Sequence, residues 1–215
     1  MAITVLKDLR QTLGPARDQG SRPTCISFAV SDAHAIARGP YDALSAEHLY
    51  FHAVSRTPGG DPHSGVTLTA ILEGLRHDGQ CIEVGWPYLD PLPADPKLWT
   101  PPATATPVFR RGTAPIGRVI DELIATVDAD KPVVITLLLG VRFHTPVSGI
   151  IEPGPGDADT DYHAVLAVGH GRDGTRRYIL VRNSWGSGWG LAGHAWIAVE
   201  YLEPRLYQAA LMGSI

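Results

Sequence analysis

Three short segments, far apart along this chain, constrain how it can fold. They lie at residues 18–29 (DQGSRPTCISFA), 162–169 (YHAVLAVG) and 181–190 (VRNSWGSGWG). Cys25 stands at the start of an apolar stretch with helical spacing, and His163 directly precedes an apolar run typical of a strand. The two later segments complete the first one chemically, so the fold has to bring the early part of the chain against its last third.

The polar side chains of these segments have complementary roles in acyl transfer. Cys25 is the candidate nucleophile, because a helix N-terminus and a nearby imidazolium both favour the thiolate. His163 is the candidate acid and base, Asn183 the group that orients its ring, and Gln19 the side-chain donor to an oxyanion. Cys81 follows Gly-Gln without such a context, and we interpret it as a packing residue.

The order Gln, Cys, His, Asn and the sequences around these residues resemble the papain family of cysteine peptidases. His163 follows Cys25 by 138 positions, which agrees with the spacing of that family. The resemblance covers roughly residues 13–197. It implies an α+β fold of two lobes, helical at the N-terminus and β-barrel-like at the C-terminus, with a cleft between them. It also implies a peptide or protein substrate, and neither a metal nor an organic cofactor.

The same resemblance assigns substrate contacts. The residues concerned are Gly65, Val66, Leu68, Val134, Tyr162, Ala164 and Trp185. The first two match an edge that pairs with an extended substrate backbone, with Val66 in place of the family's usual second glycine. Leu68, Val134 and Ala164 match an apolar pocket for the second residue before the scissile bond. Tyr162 replaces a small polar residue and is expected to shape the cleft or to reduce access to it.

Local patterns predict helices first and strands later. Helical spacing and capping residues predict helices over residues 25–38, 45–54, 67–78 and 116–128. Strands are predicted over residues 132–139, 164–168, 178–182 and 194–199. Seven prolines between residues 87 and 107 predict an extended connection between the lobes. We therefore expect one domain over residues 1–215, with a helical lobe at about 12–105 and a β-rich lobe at about 106–205.

Composition argues against several classes of partner. The formal charge is −4 and the pI is near 6.1, and no cluster of lysines and arginines stands out along the sequence, which argues against nucleic-acid binding. No apolar run approaches the ~18 residues of a membrane span. The histidines have no spacing that other ligands would complete into a metal site.

The cysteines indicate a reducing environment. Two cysteines are too few for a disulfide framework, and Arg22 stands where relatives often carry a further cysteine. We therefore expect a disulfide-free bacterial member of the family that acts in the cytoplasm or is delivered into a reducing compartment. The residues before Gln19 are too few for the family's inhibitory prosegment, which leaves control to a segment outside this sequence or to a separate protein regulator.

The motifs predict an endopeptidase that forms an acyl-enzyme through a Cys-His-Asn triad. Two alternatives stay open. The same triad supports transfer of the acyl group to an amine, as in a transpeptidase, and the mass of the product distinguishes the two reactions. A peptide-binding homologue without catalysis would keep the fold, and a thiol-directed epoxide separates it from an enzyme.

Overall fold

The computed structural model describes residues 2–213, in which helices precede most of the strands. The helices are α1 (Cys25–Arg38), α2 (Ala46–Arg56), α3 (Leu68–His77), α4 (Ile120–Asp128) and the short α5 (Val141–His144) and α6 (Val199–Leu202). The strands are β1 (Thr4–Asp8), β2 (Thr113–Ile116), β3 (Val133–Gly140), β4 (Ile150–Ile151), β5 (Asp159–Asp173), β6 (Arg176–Arg182), β7 (His194–Ala198) and β8 (Leu206–Met212). The first three predicted helices and the four predicted strands are confirmed.

Capping explains where the helices of the first lobe begin. The side chain of Ser45 accepts a hydrogen bond from the backbone N–H of His48 at 3.0 Å, which starts α2. The side chain of Thr67 starts α3 in the same way. Helix α1 has no side-chain cap, since the hydroxyl of the preceding Thr24 contacts Tyr88 Oη at 2.7 Å instead. The first N–H groups of α1 therefore lack a capping side chain at the end of the helix where Cys25 lies.

All eight strands belong to one sheet. Its order is β2-β8-β3-β5-β6-β7-β4, and β1 pairs with β5 beside this path. The pairs are antiparallel except for β4 with β7. Within residues 2–213 the outer strands β2 and β4 do not pair with each other, so the sheet is open. The expectation of a barrel-like lobe is corrected on this point, because a barrel needs its outer strands to close the ladder.

Two apolar cores hold the fold together. The larger lies between α1 and the sheet, where Val30, Ala33 and Val165 are fully buried. The smaller lies behind α2 and includes Cys81 and Trp99. Cys81 is fully buried there, which confirms its interpretation as a packing residue.

The proline-rich segment at residues 87–107 packs on the helical lobe. It contains a short 3-10 turn at Pro96–Leu98 and otherwise lacks regular structure. The indole N–H of Trp99 donates to Glu47 Oε1 at 2.6 Å, and the backbone N–H of Leu89 donates to Glu47 Oε2 at 2.9 Å. The absence of regular helix and strand was expected for this segment, but its packing was not, because burial of aromatic side chains draws the segment onto α2. The predicted boundary between the lobes stays a prediction.

Four strands, two short helices and one helix boundary differ from the sequence expectation. Strands β1, β2, β4 and β8 and helices α5 and α6 were not predicted. Helix α4 begins at Ile120 instead of residue 116, because residues 113–116 pair with β8 as β2. For each of the four strands, a partner distant in sequence decides the local structure.

Candidate active site

A cleft of about 710 Å³ opens between the start of α1 and strands β3 and β5. Nine of the residues predicted for catalysis or substrate binding line it: Gln19, Cys25, Gly65, Val66, Leu68, Tyr162, His163, Ala164 and Trp185. Asn183 does not reach the cleft surface and lies behind His163. The fold thus brings the three distant motifs to one place.

Val134 is the predicted pocket residue that the structure places elsewhere. Its side chain is fully buried in β3, where its strand partners are Leu166 and Ala210. Thr136, two residues further along the same face of β3, lines the cleft instead. Val134 and Thr136 are two residues apart and therefore lie on the same face of β3. The alternating pattern of a strand does not tell which of the two lines the cleft.

Cys25 is the first residue of α1 and is partly buried. Burial raises the pKa of the Cys25 thiol, and a backbone hydrogen bond at Ala164 offsets this rise only in part. The nearby carboxylate of Asp161 raises the same pKa further. This direction differs from the sequence expectation, because loss of water around the sulfur outweighs the hydrogen bonds that favour the thiolate.

His163 lies in β5 and is held by Asn183. The distance from His163 Nε2 to Asn183 Oδ1 is 2.7 Å, and the ring centroids of His163 and Trp185 are 4.7 Å apart. Since the amide oxygen accepts the Nε2–H, Nδ1 becomes the nitrogen that exchanges protons. Burial lowers the pKa of His163 to about 4, although the bond to Asn183 acts in the opposite direction.

The side-chain amide of Gln19 is fixed at both ends. Its Oε1 accepts a hydrogen bond from Ser184 Oγ at 2.6 Å, and its Nε2 donates to the carbonyl oxygen of Arg22 at 2.7 Å. The backbone N–H of Gln19 also donates to the carbonyl oxygen of Ser184 at 2.8 Å. One N–H of the amide remains for an anionic oxygen in the cleft.

Two residues that support the loop carrying Gln19 were not predicted. Ser184 follows Asn183 directly, so its hydroxyl was visible in the third motif but had no assigned partner. Tyr88 comes from the proline-rich segment, and its hydroxyl donates to the carbonyl oxygen of Gln19 at 2.8 Å. No local signal marks Tyr88, because its contact depends on how residues 87–107 fold back.

Asp32, in the middle of α1, joins the elements that carry the site. Its carboxylate contacts Arg17 at 2.8 Å and Arg182 at 2.6 Å, and only 4% of the residue is exposed. Burial opposes its ionisation, but the two guanidinium groups lower the pKa of Asp32 overall. Helix α1, the loop before Gln19 and the end of β6 before Asn183 therefore meet at one carboxylate.

Among residues 2–213, no group of three or more histidine, cysteine, aspartate or glutamate residues is arranged to hold a metal ion. Over the same residues, no helix combines the length and the apolar character needed to cross a membrane.

Comparisons with known proteins point to one protein family. A family model described as "Papain family cysteine protease" matches residues 99–209. The chain is 28% identical over 189 residues to "Probable cysteine protease RD21C" of Arabidopsis thaliana, covering 85% of this chain and 40% of that protein. It spans 40% to 60% of the length of three curated relatives.

Two solved structures show the same fold. Xylellain, a cysteine protease from Xylella fastidiosa, aligns with a TM-score of 0.80 and 24% identity over 100% of this chain and 87% of its own. The Carica candamarcensis cysteine protease CMS1MS2, solved in complex with E-64, aligns with a TM-score of 0.72 and 24% identity over 96% of this chain and 97% of its own. At these identities the likeness shows the fold alone.

Proposed function

The chain belongs to the papain family of cysteine proteases, and from that premise we propose that it is an endopeptidase acting through Cys25, His163 and Asn183. The observation that carries the proposal is the 2.7 Å contact between His163 Nε2 and Asn183 Oδ1, beside the cleft that Cys25 lines. It leaves an imidazole with a fixed tautomer in the same cleft as the thiol at the start of α1.

The first half of the proposed reaction acylates the cysteine. Cys25 Sγ attacks the substrate carbonyl carbon while His163 Nδ1 takes the thiol proton, and the carbonyl oxygen becomes an oxyanion. The backbone N–H of Cys25 and the remaining amide N–H of Gln19 stabilise that oxygen. When the intermediate collapses, the C–N bond breaks and His163 gives its proton to the leaving amine.

The second half releases the acyl group. His163 takes a proton from water, the hydroxide oxygen attacks the thioester carbon, and the C–S bond breaks as the proton returns to sulfur. Asn183 accepts the Nε2–H through both halves, which keeps the ring in place. Trp185 covers that contact and reduces its exposure to water.

We propose a peptide bound in extended form across the cleft. Gly65 and Val66 lie on its rim, where a backbone can pair with the substrate. Leu68 and Ala164, with Thr136 in place of Val134, give a mainly apolar pocket for the residue two positions before the scissile bond. A reducing compartment such as the cytoplasm fits this chemistry, because Cys25 and Cys81 are both free thiols.

The function is tested by labelling and by product mass. E-64 is the ligand of the Carica candamarcensis structure, and we expect it to add once to this chain, at Cys25. Incubation with a peptide and an added primary amine should give the free carboxylic acid. Absence of labelling in folded chain would support a binding protein without catalysis, and a dominant amide product would support acyl transfer.

Replacing Gln19 with alanine should lower kcat by about 10²–10³ and leave KM nearly unchanged, because the lost N–H acts on the oxyanion and not on the bound substrate. Steady-state kinetics on one peptide measure both constants. The matched variant Ser184→Ala keeps the amide but removes the hydroxyl that orients it, so we expect a smaller loss of about tenfold. A change confined to KM in Gln19→Ala would contradict the oxyanion role.

The pH profile of kcat/KM should have a wide plateau. In the active form, Cys25 and His163 together hold one proton. The two pKa values that bound the plateau are therefore macroscopic values of the pair and not of either residue alone. Burial lowers the pKa of His163 to about 4, so the second proton adds only well below pH 6.5. Burial raises the pKa of Cys25, so the last proton leaves only above about pH 8.5.

A profile measured between pH 4 and pH 10 on an uncharged peptide checks this expectation. The hydrogen bond that His163 donates to Asn183 raises the pKa of His163, so Asn183→Ala should move the acid limb to still lower pH while it reduces the rate. An acid limb at or above pH 6.5 in the unmodified chain contradicts the expected effect of burial.

A further inference from the structure

A second groove, of about 1030 Å³, continues from the catalytic cleft. The linings of the two spaces share Leu68, Tyr207 and Gln208. The groove runs between α3 on the helical side and strands β2 and β8 on the sheet side. We call it the arginine groove, after the four arginines that line it: Arg76, Arg110, Arg111 and Arg118.

The arginine groove carries an excess of positive charge. Glu73 is the one carboxylate in its lining over residues 2–213, and this carboxylate lies 3.0 Å from His77 Nε2. Arg111 is partly buried and donates to the carbonyl oxygens of Ala37 and Gly213.

The other three arginines face solvent. Arg76, Arg110 and Arg118 are exposed. None of them takes part in the ion pairs formed within residues 2–213.

This charge is opposite in sign to that of the whole chain, whose formal net charge is −4. A groove lined by charges of one sign concentrates ligands of the other sign, and guanidinium groups match carboxylates in geometry. The cluster is not a sequence motif, because its members come from α3 and from the segments on both sides of β2. It exists only in the folded chain.

The position of the groove indicates what it binds. Leu68, at the junction, belongs to the pocket proposed for the second residue before the scissile bond. The rings of Tyr162 and Tyr207 contact each other there in a tilted arrangement, with centroids 5.1 Å apart, and both side chains are exposed. A peptide held in the cleft therefore has its upstream side next to the arginines. The net negative charge of the chain disfavours a nucleic acid as the occupant.

We propose that the arginine groove binds acidic residues that precede the scissile bond, so that the preferred substrates are proteins with aspartate or glutamate upstream of the cleavage site. The proposal rests on the endopeptidase function above. The cleft positions the bond to be cut, and the arginine groove selects among chains by the charge of the segment before it.

The test measures binding, so that it does not depend on turnover. Two fluorescent decapeptides share an apolar residue two positions before the cleavage site and differ only in three upstream residues, which are Glu in one and Gln in the other. Fluorescence anisotropy gives their Kd values on the full chain carrying Cys25→Ala. We expect the Glu peptide to bind about tenfold more tightly at ~0.01 M salt, where the Debye length is ~30 Å, and the ratio to fall strongly at ~0.15 M.

Two triple variants on the same background locate the effect. Arg76→Gln, Arg110→Gln and Arg118→Gln together should bring the Glu-to-Gln ratio close to one. A matched control replaces Arg172, Arg176 and Arg177 of the β5–β6 hairpin with Gln, which removes the same charge from an exposed surface outside the arginine groove. That control should keep most of the preference.

Equal Kd values for the two peptides would overturn the inference, and so would a Glu preference that survives the groove variant. A Glu preference that disappears equally in both triple variants would also overturn it. The same holds if a ten-nucleotide single-stranded DNA binds more tightly than the Glu peptide. Cleavage of the Gln peptide by the unmodified chain is assayed separately. Failure of that assay counts against the endopeptidase function and leaves the binding comparison intact.

Discussion

Replacing Cys25 with alanine should reduce peptide hydrolysis by at least about 10⁴-fold, which places the variant at the background of the assay. The sulfur of Cys25 is the only protein atom that forms a covalent bond to the substrate carbon in the proposed mechanism, so no neighbouring group can replace it. We expect the variant to remain folded, because Cys25 is partly exposed at the first turn of α1 and alanine suits a helix. Circular dichroism and a fluorogenic peptide assay measure the two properties.

Cys81→Ala is the matched control for this prediction. Cys81 is fully buried in the smaller core and lines neither the catalytic cleft nor the arginine groove. The substitution should cost about 1 kcal/mol of unfolding free energy and leave kcat nearly unchanged. If both variants lost activity to the same degree while both stayed folded, Cys25 would not be the nucleophile.

Replacing Arg22 with methionine should lower the free energy of unfolding by about 3–5 kcal/mol. Arg22 is 5% exposed, and its two terminal nitrogens lie 2.6 Å and 3.0 Å from the carboxylate oxygens of Glu47, which is fully buried. Methionine fills similar space but leaves the carboxylate without its counter-charge. Chemical denaturation monitored by tryptophan fluorescence gives the change.

Two further variants separate charge from packing. Arg22→Met combined with Glu47→Leu removes both charges, and we expect it to recover part of the loss, since a buried pair replaced by apolar groups is often neutral. Arg56→Gln breaks an ion pair with Asp78 that is partly exposed to solvent, and it should cost less than about 1 kcal/mol. An Arg22→Met variant no less stable than Arg56→Gln would show that the buried pair contributes little.

The Arg22–Glu47 pair also bears on catalysis, because the carbonyl oxygen of Arg22 accepts the hydrogen bond from Gln19 Nε2. The resemblance to the papain family implies that many members have a cysteine at the position of Arg22. In this chain an ion pair fixes the loop before Cys25 to α2. The loop is thus held without a disulfide, in keeping with the free thiol that the proposed mechanism needs.

Local patterns were sufficient for the helices of the first lobe and for the central strands. Residues 25–38 carry both an apolar stripe and a Gly-Pro stop, so the prediction agrees with α1 at both ends. Strand β8 was missed, although it lies between β2 and β3 in the sheet. Its segment is mildly apolar, and its pairing with strands about 70 to 100 residues earlier leaves no local mark.

Some residues of the candidate site could likewise be predicted from local sequence, and others could not. Gln19, Cys25, His163 and Asn183 were found because each stands in a motif that resembles a known family. Asp32 and Tyr88 were not found, because their contacts are made with residues distant in sequence and depend on the finished fold. The arginine groove could not be predicted for the same reason, since its residues are scattered over the sequence.

The place of β8 has a consequence for the order in which this molecule can assemble. Residues 206–212 come after every candidate catalytic residue in the chain, yet they supply an interior strand of the sheet, beside the strand that pairs with the one carrying His163. During synthesis, β3 has β8 as a neighbour only after these residues have left the ribosome. Cys25 is therefore made long before the sheet that carries His163 is complete, so the candidate site is assembled last.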